Sequence, residues 1–197
     1  MTFLSTDNNG ALKVAHAQHS INDLTDANDS GKAVGSLLIW DGSNWVNYNR
    51  LATRVYKSGN ATVNDSTLTL VSFDSEDFDY GSQHSTVTNT SRVTAAEAGI
   101  FLVCAGANFA SSGPPNGGER LLMVRKNAAG SGGGGTLLFA ETQNGTASPT
   151  DSVMGASDVF VLSANDYIEL FVYQHQGASI TLQGGIGATS LAMTRIA

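Results

Sequence analysis

Four acidic side chains fall close together in the polar stretch FDSEDFDYGSQHS, residues 73–85, where they could supply oxygen ligands to a hard cation. They are Asp74, Glu76, Asp77 and Asp79. Carboxylate oxygens are ligands that Ca²⁺ prefers, so calcium is the ion to consider here. The spacing does not follow the EF-hand loop, and acidic residues in a polar loop usually serve solvation. The sequence therefore predicts no cofactor, with calcium at this stretch as the alternative.

Two histidines near the start of the chain, His16 and His19, form a second group of possible metal ligands. If three copies of the chain surround one axis, each copy can contribute an imidazole to an ion on that axis. Side chains that face solvent or stack on a neighbour explain the same pair without a metal. We therefore predict no metal at these histidines.

The chain lacks the motifs of common hydrolases and nucleotide-binding enzymes. Neither GxSxG nor HExxH occurs, and GSGGGG at residues 130–135 lacks the Lys-Ser/Thr ending of a phosphate loop. A glycan hydrolase would need two carboxyl groups at a defined separation in a groove, and the sequence offers no such pair. We predict that the protein is not an enzyme, and a glycan hydrolase remains the catalytic alternative.

Composition and charge restrict the class of protein further. Hydrophobic residues make up 41% of the 197 residues, which is enough for a packed core. Charged residues make up only 14%, and this favours short strands joined by turns over helices. The net charge of −7, with scattered Lys and Arg, disfavours nucleic acid as a partner. The sequence has no apolar run long enough to span a membrane, so membrane insertion is not expected. No secretory signal is expected either.

The strongest strand pattern lies in the stretch Asp158–Gln176, DVFVLSANDYIELFVYQHQ. β-branched and aromatic residues dominate both arms, and Ser163-Ala164-Asn165-Asp166 supplies turn formers between them. The pattern predicts a buried β-hairpin at the centre of the core.

From residue 52 onward, strand-like runs alternate with turn residues, and no convincing amphipathic helix intervenes. This pattern predicts an all-β protein with an antiparallel sandwich or jelly roll. The runs GIFLVCA (99–105) and YIELFVY (167–173) are apolar on both faces. Another subunit is the simplest cover for their outer faces. The lone Cys104 lies in the first run and is expected to be a buried, unreactive thiol.

Three segments together carry a family resemblance: AAEAGIFLVCAGANF (95–109), VFVLSANDYIELFVYQ (159–174) and the closing TSLAMTRIA (189–197). They resemble the globular domain of the C1q/tumour-necrosis-factor superfamily. Asn165 stands where the family usually has Gly, and Asn also tolerates the positive φ of such a turn. The resemblance covers roughly residues 52–197 and implies a jelly roll of about ten strands that trimerises about a threefold axis. The residues expected in the core and the trimer contacts are Val55, Phe101, Val103, Phe109, Leu170, Phe171, Val172 and Tyr173.

Residues 1–51 are predicted to form an extended arm followed by a small β-hairpin. Asp41-Gly42 between SLLIW and NWVNY is a strong hairpin signal, and the two tryptophans flank it. The segment INDLTDANDSGKAVGSLLIWDGSNWVNYN (21–49) resembles one that recurs in tailed-phage fibre and head-decoration proteins. Its matching positions are Asp23-Leu24-Thr25-Asp26, Gly35, Leu38, Trp40-Asp41-Gly42 and Trp45-Val46-Asn47.

Together the two resemblances imply a homotrimeric structural protein on the surface of a bacteriophage virion. It would be a capsid decoration protein or short head fibre that attaches to the major capsid protein or another virion protein. The residues expected to carry attachment are Leu12, Val14, Leu24, Trp40 and Trp45. The main alternative is the receptor-binding tip of a tail fibre, whose loops 111–118 and 127–135 would touch host surface glycans. The tryptophan pair also has an alternative use, as a carbohydrate platform.

Overall fold

The computed structural model of the chain describes residues 3–6, 12–15, 27–28, 37–40, 42–48, 50–110, 118–144 and 151–197. The chain divides into two compact units, Met1–Asn49 and Arg50–Ala197. The sequence placed this boundary after residue 51. Leu51 belongs to the second unit because its side chain is buried in the core and its carbonyl oxygen accepts a hydrogen bond from the Arg195 amide.

The described residues of the first unit form five short strands: β1 (Phe3–Thr6), β2 (Leu12–Ala15), β3 (Ala27–Asn28), β4 (Leu37–Trp40) and β5 (Trp45–Tyr48). Strands β1 and β2 pair in antiparallel register, and β4 pairs with β5 in the same way. Strand β3 runs parallel to β5. The predicted Asp-Gly hairpin is confirmed, and Gly42 has the positive φ of +104° that such a tight turn requires.

The second unit is a sandwich of a seven-stranded and a five-stranded sheet, and every strand pair is antiparallel. The larger sheet contains β6 (Ala52–Tyr56), β7 (Ala61–Val63), β9 (Ser75–Tyr80), β11 (Gly99–Phe109), β14 (Ser152–Leu162), β16 (Ile180–Leu182) and β17 (Ser190–Arg195). The smaller sheet contains β8 (Thr69–Leu70), β10 (Arg92–Thr94), β12 (Glu119–Lys126), β13 (Thr136–Asn144) and β15 (Tyr167–His175). This arrangement is the predicted antiparallel jelly roll. Within the described part of the chain, no helix is long and apolar enough to cross a membrane.

In the larger sheet the strand order is β7-β16-β11-β17-β6-β9, and β14 pairs with the remaining side of β11. In the smaller sheet the order is β10-β15-β12-β13, and β8 also pairs with β15. A short 3-10 turn at Gly130–Gly132 lies between β12 and β13.

The core lies between the two sheets and is built by alternate residues of the long central strands. Phe101, Val103 and Phe109 point inward from β11, and Leu170 and Val172 point inward from β15. All five are completely buried. Each such side chain contributes about 1.5–3 kcal/mol through removal of its apolar surface from water, so these positions hold the sandwich together.

The predicted hairpin at 158–176 is wrong in one respect. Strands β14 and β15 are joined by the predicted turn, and Asn165 has the expected positive φ of +70°. However, β14 pairs with β11 along its whole length, whereas β15 pairs with β10 and β12 in the other sheet. The turn therefore carries the chain from one sheet to the other. An apolar pattern reports burial but does not identify the pairing partner, and this explains the error.

The outer face of β15 also differs from the prediction. Phe171 is completely buried, but the residues that cover it belong to its own chain rather than to a second subunit. It packs with Met123 and Ala128, and Leu68 and Leu70 lie against the same cluster. The chain segment around β8, which pairs with β15 within the five-stranded sheet, therefore helps to cover Phe171 and accounts for the two apolar faces of β15.

Candidate functional site

The seven-stranded sheet presents an apolar outer face, the side that points away from the core. Residues alternate between the two sides of a strand, and Phe101 and Val103 point inward, so Ile100, Leu102 and Cys104 point outward. Valines do the same along the neighbouring strand β14. We define the outer apolar face as Phe78, Tyr80, Ile100, Leu102, Cys104, Val153, Val159, Val161 and Ala192.

Several of these side chains are strongly exposed. Val161 is 74% exposed, Val153 is 67% and Val159 is 47%, all along β14. Ile100 is 38% exposed on the adjacent strand. Val161 lies opposite Ile100 and Val159 lies opposite Leu102, so these four side chains form one apolar patch, and such patches mark interaction surfaces. Val153 lies farther along β14, beyond Ser157 and Gly155.

A shallow depression of about 230 Å³ lies on this face between β6, β9, β11 and β17. Ala52, Phe78, Leu102, Cys104 and Ala192 are among its lining residues. Phe78 lies at one side, where its ring stacks on the ring of Tyr80 at a centroid distance of 5.8 Å. The depression offers an apolar concavity into which a protruding apolar side chain of a partner could fit.

Cys104 lies in this depression and is only partly buried, so the expected burial of the thiol is wrong. Burial by its neighbours raises the pKa of the thiol, which disfavours the reactive thiolate. Its strand was correctly identified, but the sequence could not show which side of the strand faces the core.

The cation on this face is neutralised within the chain. Arg54 projects outward from β6, and its Nη1 lies 3.0 Å from Oδ2 of Asp77. Its Nη2 donates to the carbonyl oxygen of Ile186 at 2.6 Å. Since this guanidinium already has partners, it does not oppose apolar contact across the rest of the face.

The structure places most of the predicted core and trimer-contact residues inside the sandwich. Six of them are completely buried there: Val55, Phe101, Val103, Phe109, Leu170 and Val172. Phe171 lies in the cluster on the outer side of the five-stranded sheet, and Tyr173 is partly buried on that same side. The outward residues of β11 and β14 were not named from the sequence, although their alternation was readable once the inward residues were known. A trimer contact for the named residues stays a prediction.

The acidic stretch forms strand β9 and the turn that follows it, and each carboxylate already has donors of its own. Asp74 Oδ1 accepts the Ser58 amide at 2.7 Å, and this bond lowers the pKa of Asp74. Asp77 pairs with Arg54, as described above. Within the described residues, no three His, Cys, Asp or Glu side chains converge as metal ligands would. The other metal candidates, His16 and His19, lie outside the described residues.

The remaining two acidic residues hold the turn after β9. Asp79 accepts hydrogen bonds from the Thr53 hydroxyl at 2.6 Å and from the Gln83 and His84 amides at 2.9 and 3.1 Å. Oε1 of Glu76 lies 2.8 Å from Nδ1 of His84. Both carboxylates therefore stabilise the local fold.

The predicted attachment residues are only partly described. Trp40 and Trp45 form an edge-to-face pair with ring centroids 5.7 Å apart and an interplanar angle of 61°. They are 50% and 43% exposed, so much of the pair faces solvent. Leu12 and Val14 lie in strand β2, and Leu24 lies outside the described residues.

No protein-family model matches the chain, and no curated protein is similar to it in sequence. Solved structures do match its fold. A crystal structure of murine APRIL at pH 5.0 aligns with 75% of this chain and 99% of its own, at 15% identity and a TM-score of 0.56. The second unit has the C1q/tumour-necrosis-factor jelly-roll fold.

Two further structures support the same fold. Eiger TNF from S. frugiperda aligns with 76% of this chain and 94% of its own, at 13% identity and a TM-score of 0.53. The globular domain of zebrafish complement 1qA aligns with 75% of this chain and 98% of its own, at 13% identity and a TM-score of 0.52. At these identities the likeness concerns the C1q/TNF-like fold alone.

Proposed function

We propose that the protein is a homotrimeric structural protein of a tailed-phage virion, either a capsid decoration protein or a short head fibre. Residues 1–51 attach it to the major capsid protein or another virion protein. Residues 52–197 project from the virion surface as a C1q-like knob. No catalytic step belongs to this function.

The observation that carries the proposal is the outer apolar face of the seven-stranded sheet. Isolated soluble proteins rarely expose contiguous apolar patches larger than a few hundred Å². Three copies around one axis would cover this face in each copy and remove it from water. The C1q/tumour-necrosis-factor resemblance of the sequence implies the same threefold arrangement.

The virion role is supported by the first unit. Its tryptophan hairpin resembles a segment that recurs in tailed-phage fibre and head-decoration proteins, and the hairpin exposes apolar side chains that an attachment partner would cover. Leu37 is 56% exposed, and Ile39 is 40% exposed. In a trimer, three such arms would engage a symmetric site together. Avidity would then give stable attachment even if each single contact is weak.

The trimer contact can be tested with two matched substitutions. Val161→Asp places a carboxylate at the 74% exposed outward position of β14, and Val87→Asp makes the same change at an 84% exposed loop position. Burying an unpaired carboxylate is strongly unfavourable, so Val161→Asp should shift the protein to monomer in sedimentation velocity. Val87→Asp should sediment as the unaltered protein does. If Val161→Asp instead sediments as the unaltered protein does, that result would argue against a contact at β14.

The virion role requires a separate experiment. Mass spectrometry of purified, tailless capsids of the phage that encodes the chain should detect the protein. Its detection only in tail fractions, together with binding of the protein to host surface glycans, would favour the receptor-binding alternative. Release of sugars from host polysaccharide would instead support the glycan hydrolase.

A further inference from the structure

A polar pocket of about 360 Å³ lies beside edge strand β10, on the outer side of the five-stranded sheet. The turn and loop between β9 and β10 form one wall, and β10 with the start of β15 forms the other. Its lining residues are Ser82, Gln83, His84, Ser85, Thr88, Asn89, Arg92, Thr94 and Tyr167. The volume falls at the small end of the range of about 300–1,000 Å³ that is usual for ligand sites, and it suits one sugar ring.

The lining is rich in groups that bind hydroxyls and anions. Four of the nine residues carry aliphatic hydroxyls and two carry amides, but none carries a carboxylate. Arg92 supplies a guanidinium that is always protonated, and its Nε edge is paired with the buried Glu169. A ligand with several hydroxyls and one negative group would therefore find complementary partners here, whereas a cationic ligand would not.

Contacts with the described residues fix the Arg92 side chain and leave its Nη1 and Nη2 atoms available to a ligand. Its Nε lies 3.2 Å from Oε1 of the buried Glu169, and its guanidinium carbon lies 4.1 Å above the centre of the Tyr167 ring. Tyr167 is fixed in turn, because its hydroxyl donates to the carbonyl oxygen of Ala128 at 2.7 Å. The hydrogen bonds of the described residues do not use Nη1 or Nη2 of Arg92. These two nitrogens form the planar fork that binds a carboxylate through two parallel bonds.

The wall opposite Arg92 is also fixed before any ligand arrives. The His84 side chain is fully buried, with Nδ1 2.8 Å from Glu76 and Nε2 3.2 Å from the carbonyl oxygen of Thr90. Ser82 has a positive φ of +53°, which costs free energy for a residue other than glycine, and Asn89 has one of +50°, which asparagine tolerates better. Such conformations concentrate at ligand sites, and a wall held this way loses little entropy on binding.

The same contacts exclude the main competing ligand classes. A neutral sugar would be expected to stack on an aromatic ring, but Arg92 already covers a face of Tyr167. A polyanion such as nucleic acid would need several clustered cations, and the lining has one arginine in a chain of net charge −7. A single acidic sugar is the class that fits both the charge and the hydroxyl groups.

We propose that this pocket binds one carboxylate-bearing sugar residue, with the carboxylate on the Nη1–Nη2 edge of Arg92 and the ring hydroxyls on the surrounding Ser, Thr and Asn side chains. The site lies within a single chain. It is therefore independent of whether the protein forms a trimer or occupies a virion.

Titration of the full chain by NMR tests the site. The probes are the methyl glycosides of N-acetylneuraminic acid and glucuronic acid, with methyl glucoside as the neutral match and acetate and sulfate as plain anions. An acidic glycoside should bind saturably and shift amide signals within residues 82–94. The neutral glycoside and the plain anions should bind at least about tenfold more weakly, since each offers only part of the complementary chemistry.

Two variants assign the binding to the named groups. Arg92→Lys keeps a cation beside Glu169 but loses the fork, so affinity should fall about tenfold or more while the melting temperature stays close to that of the unaltered protein. Thr94→Val should weaken binding a few-fold, whereas Thr62→Val, an exposed position on β7, should not.

Three results would overturn the proposal. They are the absence of saturable binding by either acidic glycoside, equal affinity for the neutral glycoside, and unchanged affinity in a folded Arg92→Lys protein. If acetate or sulfate binds as tightly as the glycosides, the pocket is a simple anion site and the sugar assignment is wrong.

Discussion

At the scale of single residues, Asp79 shows how the acidic stretch is committed to the fold. Its carboxylate joins β6, through Thr53, to the turn that precedes the loop, through the Gln83 and His84 amides. The neighbouring Asp77 makes a single ion pair with Arg54, and both of those side chains are about one-third exposed. The two aspartates therefore differ in structural importance although the sequence presents them alike.

Alanine substitutions should separate these two roles. Asp79→Ala leaves three donors without their acceptor and should lower the free energy of unfolding by about 1–3 kcal/mol. Asp77→Ala breaks only a partly exposed ion pair and should cost at most about 1 kcal/mol. Urea unfolding followed by circular dichroism measures both values. Equal losses in the two variants would contradict the assignment.

The acidic residues of this stretch are visible in the sequence, but the partners that their carboxylates bind are not. The partners Thr53, Arg54 and Ser58 lie about twenty residues earlier in the chain. They meet the acidic residues only because β6 and β9 pair in one sheet. The polar pocket was missed for the same reason, since Arg92 and Tyr167 are neighbours only through the pairing of β10 with β15.

At the scale of elements, the turn between β14 and β15 determines how the chain passes between the sheets. Asp166 organises this turn by accepting the Ser163 amide at 2.9 Å and the side-chain amide of Asn127 at 2.7 Å. Lys126 Nζ lies 3.2 Å from Oδ2 of Asp166, the oxygen that also accepts the Ser163 amide. The bond from Asn127, followed by that from Ser163, holds the pKa of Asp166 below its ordinary value.

This lowered pKa predicts an acid-dependent loss of stability. Because the folded-state pKa is below the ordinary value of 3.8, the contribution of Asp166 is complete above that pH and is lost as the pH falls below it. Between pH 6 and pH 3, the urea midpoint of the unaltered protein should fall more than that of Asp166→Asn. An identical fall in both proteins would contradict this role of Asp166.

The alternation of apolar and polar residues, together with the turn residues, predicted where strands and turns lie better than which strands pair. The Asp-Gly hairpin and the turn at Asn165 follow from local conformational preferences, so sequence patterns identify them. The partner of β14 depends on which distant strand offers a matching edge, and this information is not local. The cover over Phe171 was likewise unpredictable, because the alternation of residues 67–71 predicts a strand but not its position beside β15.

At the scale of the whole molecule, the outer apolar face connects the fold to the proposed function. The jelly roll buries its core well, yet it leaves Val159 and Val161 exposed beside Ile100, and Val153 exposed farther along β14. In a monomer these apolar side chains would stay exposed to water, whereas association of copies would remove them from solvent. Homotrimerisation is therefore the claim on which the proposed virion knob depends.

Light scattering of the intact chain at micromolar concentration tests this claim most directly. One chain has a mass of 20.5 kDa, and the proposal predicts a single species of about three times that mass. The species should persist at about 0.5 M salt, because apolar burial rather than ion pairing would hold it together. A monomer of 20.5 kDa at these concentrations would contradict the proposal.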